Sequence, residues 1–352
     1  MKAALKPLAA VLLAAALIAI ILIGLGASPG AVFAALIEGA FGNSLAFTDT
    51  LVKSTPLVFC GLAVAVAFQG ALWNIGADGQ LMMGALLAGA IGPALANLPH
   101  PLAILAMLAV GAIGGGCWGG ICGWLRARRE VSEVISTIML NFVAVQLLSW
   151  AVHGPLMEPS GAYPKSPPIA ASAELHLYFA PARLNLGMAL AAVLAVACYL
   201  FLFHTVGGFE LRALGRNRRA SAFFGIPIGR LTVWTMAFSG ALAGIGGAVY
   251  VSAITHRLYE TLSPGWGYEA IAVALVARLN PAAIVGTAIL FGALDNGAQA
   301  MQRTQGVSPV LVQVIQAVVI MILLAFDSAA WRGLRDALFT SAKQLAVVVR
   351  DA

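Results

Sequence analysis

The sequence predicts an all-α, polytopic membrane protein, on three observations. Of its 352 residues, 61% are hydrophobic and only 10% are charged, where an ordinary soluble domain carries about 25% charged residues. The mean hydropathy is +0.93. The apolar residues are gathered into runs near the length of roughly 20 that a helix needs to cross a bilayer. No water-soluble core could hide this much apolar surface. The formal charge of +6 sits in short loops between the runs, which speaks of membrane orientation and not of nucleic acid. Cys60, Cys117, Cys122 and Cys198 all lie in apolar segments without a C-x-x-C pair, so neither a disulfide framework nor a zinc site is indicated.

Taken in order, the runs predict ten spans. The first, 8–26, follows Lys2 and Lys6; an uncleaved helix is expected there in preference to a signal peptide ending near Ala31-Val-Phe-Ala34. The partly polar stretch 29–50 reads as an interfacial helix. Spans two to five are 51–70, 81–96, 102–125 and 131–152, with a turn at Leu98-Pro-His-Pro101. The polar segment 153–185 is rich in proline and breaks any helix. Span six is 186–204, followed by a basic loop at 205–230. Spans seven to ten are 231–253, the short 268–279, 281–298 and 309–326, and a mixed, amphipathic tail covers 327–352. The whole chain, 1–352, is thus one transmembrane domain. Residues 1–50 are its entry, 51–326 its core, 153–185 an outer loop, 205–230 a cytoplasmic loop and 327–352 a cytoplasmic tail.

With the N-terminus in the cytoplasm, ten spans place 15 of the 20 Lys and Arg residues inside; only Lys53, Lys165, Arg183, Arg257 and Arg303 fall outside. The excess of basic residues on the cytoplasmic side supports that threading and the counting of span eight. Spans two to five and seven to ten then run in opposite directions, which suggests an inverted repeat. Glycines cluster at 111–123 and 240–247, where small residues would let helices approach closely.

No catalytic constellation appears. A P-loop, an H-E-x-x-H pair and a G-x-S-x-G elbow are absent, so no ATPase site, metal or cofactor is expected and the chain is not read as an enzyme. Polar groups at membrane depth are costly and often functional. One cluster is Trp73-Asn-Ile-Gly-Ala-Asp-Gly-Gln80, either a helix broken at membrane depth or a plain cytoplasmic turn. Glu133, Thr137 and Asn141 share one helical face, read as a pore-lining stripe ahead of an interhelical seam. Asp295, Asn296 and Gln299, then Gln313 and Gln316, form a third set, and Glu269 opens span eight. In the loop 207–230 arginines interleave with Leu211, Leu214, Phe223 and Phe224. That pattern suits a short amphipathic helix docking into a partner's groove, ahead of one lying on anionic lipid.

These segments resemble the permease subunits of bacterial ABC importers for ribose, branched-chain amino acids and nucleosides. The match is to the nucleoside type that works with a basic-membrane-protein-like lipoprotein. The resemblance is carried by Thr55-Pro-Leu57, Trp73–Gln80, Glu133-Val-Ile-Ser-Thr-Ile-Met-Leu-Asn141, Gly208-Phe-Glu-Leu-Arg-Ala-Leu-Gly215, Ala222-Phe-Phe-Gly-Ile226, Gly267-Tyr-Glu-Ala-Ile-Ala-Val-Ala274 and Asp295-Asn-Gly297. Ala277-Arg-Leu-Asn-Pro281 departs from it, standing where a glycine-richer turn is expected. The resemblance implies a type II-like importer fold. It implies a second permease, unlike this one, a cytoplasmic ABC ATPase and an extracytoplasmic substrate-binding protein or lipoprotein, in a bacterial plasma membrane. It implies a coupling helix within 210–225, with Glu210, Arg212, Arg216, Asn217, Arg218, Arg219, Phe223 and Phe224 facing the ATPase. The pathway is expected at the permease interface, with Asn74, Asn141 and Gln146 as polar liners and Phe68 and Trp73 as gates. A nucleoside suits aromatic and amide groups because it offers a π face and hydrogen-bonding edges. Simple sugars, riboflavin-like molecules and branched-chain amino acids are the alternative substrates. An ion-coupled secondary transporter is the alternative in class; its uptake would persist without ATP.

Overall fold

In the computed structural model, which describes residues 28–306 other than 162, 176, 180 and 181, plus isolated positions 19, 20, 23, 24, 314 and 317, the first helices are Pro29–Phe41 (α1) and Ser44–Gln69 (α2). The sequence places an interfacial helix over 29–50; the chain instead breaks at Gly42-Asn43 and begins a long span at Ser44. Asn43 sets that start, its side chain accepting the Ala46 N–H at 2.8 Å as an N-cap. The polar residues that disguise the first turns satisfy themselves inside the helix. Thr48 Oγ1 donates to the Ser44 carbonyl at 2.9 Å and Ser54 Oγ to the Thr50 carbonyl at 2.6 Å, which is how hydroxyls are tolerated where no water is at hand. From Ser54 to Ala67 every residue of α2 is buried. A helix apolar on all sides belongs at the centre of a bundle.

The remaining helices are α3 (Ala77–Ile91, continued by a 3-10 turn, Gly92–Asn97), α4 (His100–Arg129), α5 (Glu133–His153), α6 (Leu186–His204), α7 (Val206–Arg216), α8 (Arg218–Phe223), α9 (Ile228–Tyr250, continued by a π turn, Val251–Thr255), α10 (Trp266–Val276) and α11 (Pro281–Gln305). Seven segments among the described residues are long and apolar enough to cross a membrane, and α1 and α10 are apolar but shorter. The expected spans 8–26 and 309–326 and the tail fall outside the described residues, apart from the isolated positions named above. Span eight is corrected to a half-span. The 11 residues of α10 rise about 15 Å, half of a hydrocarbon core of roughly 30 Å.

Two compact units emerge, 38–296 and a second from 1–37 with 297–352. Within the first, α9 lies along α4 and α3 and crosses α2, and α5 packs on α3. The glycines of α4 explain how closely α9 can lie. Gly111, Gly115, Gly119 and Gly123 recur every four residues on one face, and a Cβ on Gly115 would collide with the Gly240 carbonyl oxygen. Close backbone approach of this kind replaces the hydrophobic driving force that lipid cannot supply. Within the second unit, Gly297 on α11 approaches the Leu36 backbone on α1 in the same manner.

The proline-rich segment is a strap. Ser166 N–H donates to the Leu258 carbonyl at 3.0 Å, Ile169 N–H to His256 at 2.9 Å and Leu175 N–H to Ser252 at 2.8 Å. Glu158 pins it, paired with Lys165 at 3.1 Å and Arg257 at 2.8 Å. Those two cations hold its carboxyl below the usual glutamate range. A two-stranded antiparallel hairpin, β1 (Leu177–Phe179) and β2 (Ala182–Asn185), leads into α6.

Candidate functional site

The segment between α2 and α3 is a helix break buried in the bundle. Gly70 ends α2 and Ala71 takes a left-handed φ of 53°. Asn74 then organises the return. Its Oδ1 accepts the Gly76 N–H at 2.9 Å, an Asx turn. Its amide exchanges bonds with that of Gln80 at 2.9 and 3.0 Å, and Nδ2 also donates to Ser239 Oγ at 2.8 Å. Ser239 passes its own proton to the Ala63 carbonyl at 2.6 Å. Asn141 does the same work from α5: Oδ1 accepts the Gly79 N–H at 2.9 Å, and Nδ2 donates to the Ile75 carbonyl and the Tyr268 hydroxyl, both at 2.9 Å. Asn74 and Asn141 are therefore buried and saturated. They hold the backbone open for a break; they do not present free amides.

The start of α10 abuts the start of α3. Asp78 Oδ1 accepts Ser263 Oγ–H at 2.7 Å and the Gly267 N–H at 2.9 Å. A Cβ on Gly267 would strike the Asp78 backbone. Ser263 Oγ also accepts the N–H groups of Gly265 and Trp266, at 3.1 and 3.2 Å, so one hydroxyl caps α10 and ties it to α3. At the other end of α10, Gln69 Nε2 donates to the Leu279 carbonyl at 3.2 Å. The break after α2 thus touches both ends of α10, through Gln69 at one and Asp78 at the other.

The face of Glu133, Thr137 and Asn141 is a seam, not a pore lining. All three are buried; Thr137 packs on Gly76, Thr137 Oγ1 donates to the Glu133 carbonyl at 2.7 Å, and Glu133 pairs with Arg126 at 3.1 Å. Asn296 is likewise structural, donating to the Gly39 and Ala46 carbonyls at 3.0 and 2.9 Å across the α1–α2 break. Asp295 pairs with Lys53 at 3.0 Å. Of the other expected pathway residues, Phe68 and Trp73 stack edge to face at 4.8 Å, with Trp73 53% exposed, and Gln146 is exposed on α5. The structure joins Asn74 to Asn141 through 75–80 and Phe68 to Trp73. Gln146 stands apart from both pairs and bonds to no described residue. Sequence reasoning missed Ser239, Ser263 and Tyr268; a serine or tyrosine in an apolar run carries no local mark of its distant partner.

The basic loop folds into α7 and α8. Thr205 caps α7, accepting the Gly208 N–H at 3.1 Å, and Asn217 caps α8, accepting the Ala220 N–H at 3.0 Å. Leu211 and Leu214 are buried, Leu211 against Gly70, and Gly215 sits on the Gln69 carbonyl. Arg212 lies 5.0 Å over the Phe203 ring, and Glu210 is half-buried. Arg216, Asn217, Arg218 and Arg219 are exposed, as are Phe223 at 87% and Phe224 at 79%. The turn 277–280 explains the departure from a glycine-rich sequence: Arg278 and Leu279 adopt φ of 53° and 57°, the conformation glycine would take without strain.

The family model for the branched-chain amino acid transport system / permease component matches residues 46–324. The chain belongs to that family. Among curated relatives, the permease is 34% identical to the guanosine ABC transporter permease protein NupP of Bacillus subtilis, over 90% of this chain and 92% of that one. It is 32% identical to the glucose ABC transporter permease protein TsgB13 of Haloferax volcanii (91% and 87% covered) and 32% identical to the nucleoside ABC transporter permease protein NupB of Lactococcus lactis (90% and 89%). B. subtilis and L. lactis each have a second permease that matches less well, NupQ at 26% and NupC at 23%. No solved structure matches. This protein is accordingly an ABC transporter permease, a membrane protein with seven described helices fit to span.

Proposed function

We propose that the chain is one of two unlike permeases in an ATP-driven importer of nucleosides. The observation that carries the substrate is that two of the relatives named above, at 34% and 32% identity, are named for guanosine or nucleosides, each matched over about nine-tenths of both chains. The unlike partner is supported by the paired relatives, since in both bacteria this chain resembles one member more than the other. The pathway runs along the interface with that partner. Phe68, Trp73 and Gln146 face it, and Asn74 and Asn141 shape it from behind. An extracytoplasmic binding protein delivers substrate to the strap side, and both termini lie in the cytoplasm of a bacterial plasma membrane. Uptake of labelled guanosine by the reconstituted importer, competed by unlabelled glucose, tests the substrate. Guanosine uptake unaffected by glucose is expected; competition by glucose with no guanosine uptake favours the sugar reading that TsgB13 supports.

ATP hydrolysis belongs to a cytoplasmic partner that seats α7 and α8. The support is their two-sidedness: Leu211 and Leu214 fix one side to the end of α2, while Phe223, Phe224 and three exposed arginines have no protein to meet among the described residues. Reversing Arg216, Arg218 and Arg219 together to glutamate is expected to abolish substrate-stimulated ATP hydrolysis in the assembled importer. Stimulation that survives the triple reversal intact overturns the assignment.

A further inference from the structure

Tyr268, like Trp73 within the break itself, is an exposed aromatic residue beside the amides that hold the break. Its hydroxyl accepts from Asn141 Nδ2 at 2.9 Å, yet its own O–H donates to no described residue, and the side chain is 43% exposed. Glu269 lies beside it, half-buried, with no hydrogen-bond or ion-pair partner among the described residues, and Ala272 one turn on is also partly exposed. Residues 268, 269 and 272 form one open face of α10. That face begins about 15 Å from the turn at 277–280. Within a membrane, an ionisable side chain faces the bundle interior or a water-filled cavity in preference to lipid.

We infer that Tyr268 and Glu269 are the substrate-selecting residues of the pathway. This rests on the nucleoside reading above and names what reads the nucleoside. The Tyr268 ring supplies a stacking surface for the base, its free O–H a donor to an acceptor on the base edge, and Glu269 two oxygens for the vicinal hydroxyls of the ribose. Base and sugar are thereby read by adjacent side chains on one rigid helix. Asn141 orients the phenol and does not itself touch substrate.

The two roles separate in transport measurements on the complete importer, with rates compared at equal loading of the binding protein and across a panel of guanosine, 2′,3′-dideoxyguanosine and uridine. Tyr268→Leu is expected to lower the guanosine rate about ten-fold and the uridine rate less, since the larger base loses more stacking. Tyr268→Phe keeps the ring and loses the donor, with about a three-fold drop. Glu269→Gln is expected to reduce the preference for guanosine over the dideoxy compound by about ten-fold. Ser239→Ala disturbs the same junction away from the open face and should lower all rates in proportion. Ratios unchanged in Tyr268→Leu and Glu269→Gln, in importers whose ATPase activity remains stimulated, overturn the inference. If the wild-type importer carries glucose and not guanosine, the nucleoside reading fails. The inference then stands or falls on whether Glu269→Gln alters discrimination between glucose and its deoxy analogues.

Discussion

Two interruptions separate the helices of this permease, and they are built differently. The one after α2, residues 70–76, is held from within by side-chain amides: Asn74 and Gln80 pair with each other, Asn74 also reaches Ser239, and Asn141 holds the Ile75 carbonyl and the Gly79 N–H. The one after α9, residues 256–265, is held from outside by the backbone of the strap and from inside by the single carboxylate of Asp78. The first leaves its amides occupied, while Trp73 beside them is exposed. The second leads into a short helix on which Tyr268 is exposed and Glu269 half-buried. Backbone outside helices survives in a membrane only where protein or a water-filled cavity surrounds it, and at both breaks protein side chains and backbone take up the freed groups. Left-handed non-glycine residues occur at both: Ala71 in the first, and His256, Arg278 and Leu279 on either side of α10. Such outliers concentrate where a structure must act.

The most damaging change should be Asn74→Leu. It strands the Gly76 N–H, the Gln80 amide and the Ser239 hydroxyl in a buried site. Each stranded group costs about 1–3 kcal/mol, so a loss of about 3 kcal/mol or more is expected. Thermal unfolding of the purified importer measures it, with uptake of every substrate falling together. A variant as stable as the wild type would mean that the first break is not held by its amides, and the contrast would dissolve.

Asp78 holds the second break with fewer bonds, and its replacement should do less. Asp78→Asn retains an oxygen where Oδ1 accepts from Ser263 and Gly267, losing the charge assistance alone, about 1 kcal/mol. Asp78→Ala leaves the Gly267 N–H without an acceptor and should cost about 2 kcal/mol. The same melting experiment ranks the three variants. If Asp78→Asn proves as costly as Asn74→Leu, the carboxylate and not the amide cluster is the centre of the junction.

How far the sequence announced these features depends on whether their cause is local. The span Leu186–His204 is bounded by residues that change character abruptly, and the structure gives the same limits. The amphipathic loop is legible for the same reason, because the alternation of arginine with Leu211 and Leu214 is written in neighbouring residues. The start of α2 was hidden because Thr48, Asp49 and Lys53 look like interface; only the hydroxyl bonds to the preceding turn make the residues compatible with a span. Span eight is legible as a short element, but its end is placed too late, because Arg278 and Leu279 are left-handed and close a turn held by Gln69. The amide cluster could be suspected from its composition but not resolved. Asn74 and Ser239 are 165 residues apart, and Asn141 reaches Tyr268 over 127; nothing short-range distinguishes a saturated asparagine from a free one.

The smallest expected effect lies at the outer support of the second break. Glu158 joins Lys165 of the strap to Arg257 beside the irregular segment. Its folded pKa is lowered by hydrogen bonds to those two cations. A depressed carboxylate pKa stabilises the folded form fully above the unfolded value of about 4.3, and the contribution disappears as pH falls through the lower, folded value. Glu158→Gln should therefore accelerate hydrogen exchange at the Ser166, Ile169 and Leu258 amides by about two-fold at neutral pH, the scale of a solvent-exposed ion pair. Below the folded pKa, wild type and variant should exchange alike. No change at the amides of 75–80 is expected, because the first break has no tie to the strap's ion pairs. Faster exchange there as well would show the two breaks to be a single cooperative unit, and their difference in construction would then be one of chemistry without a difference in stability.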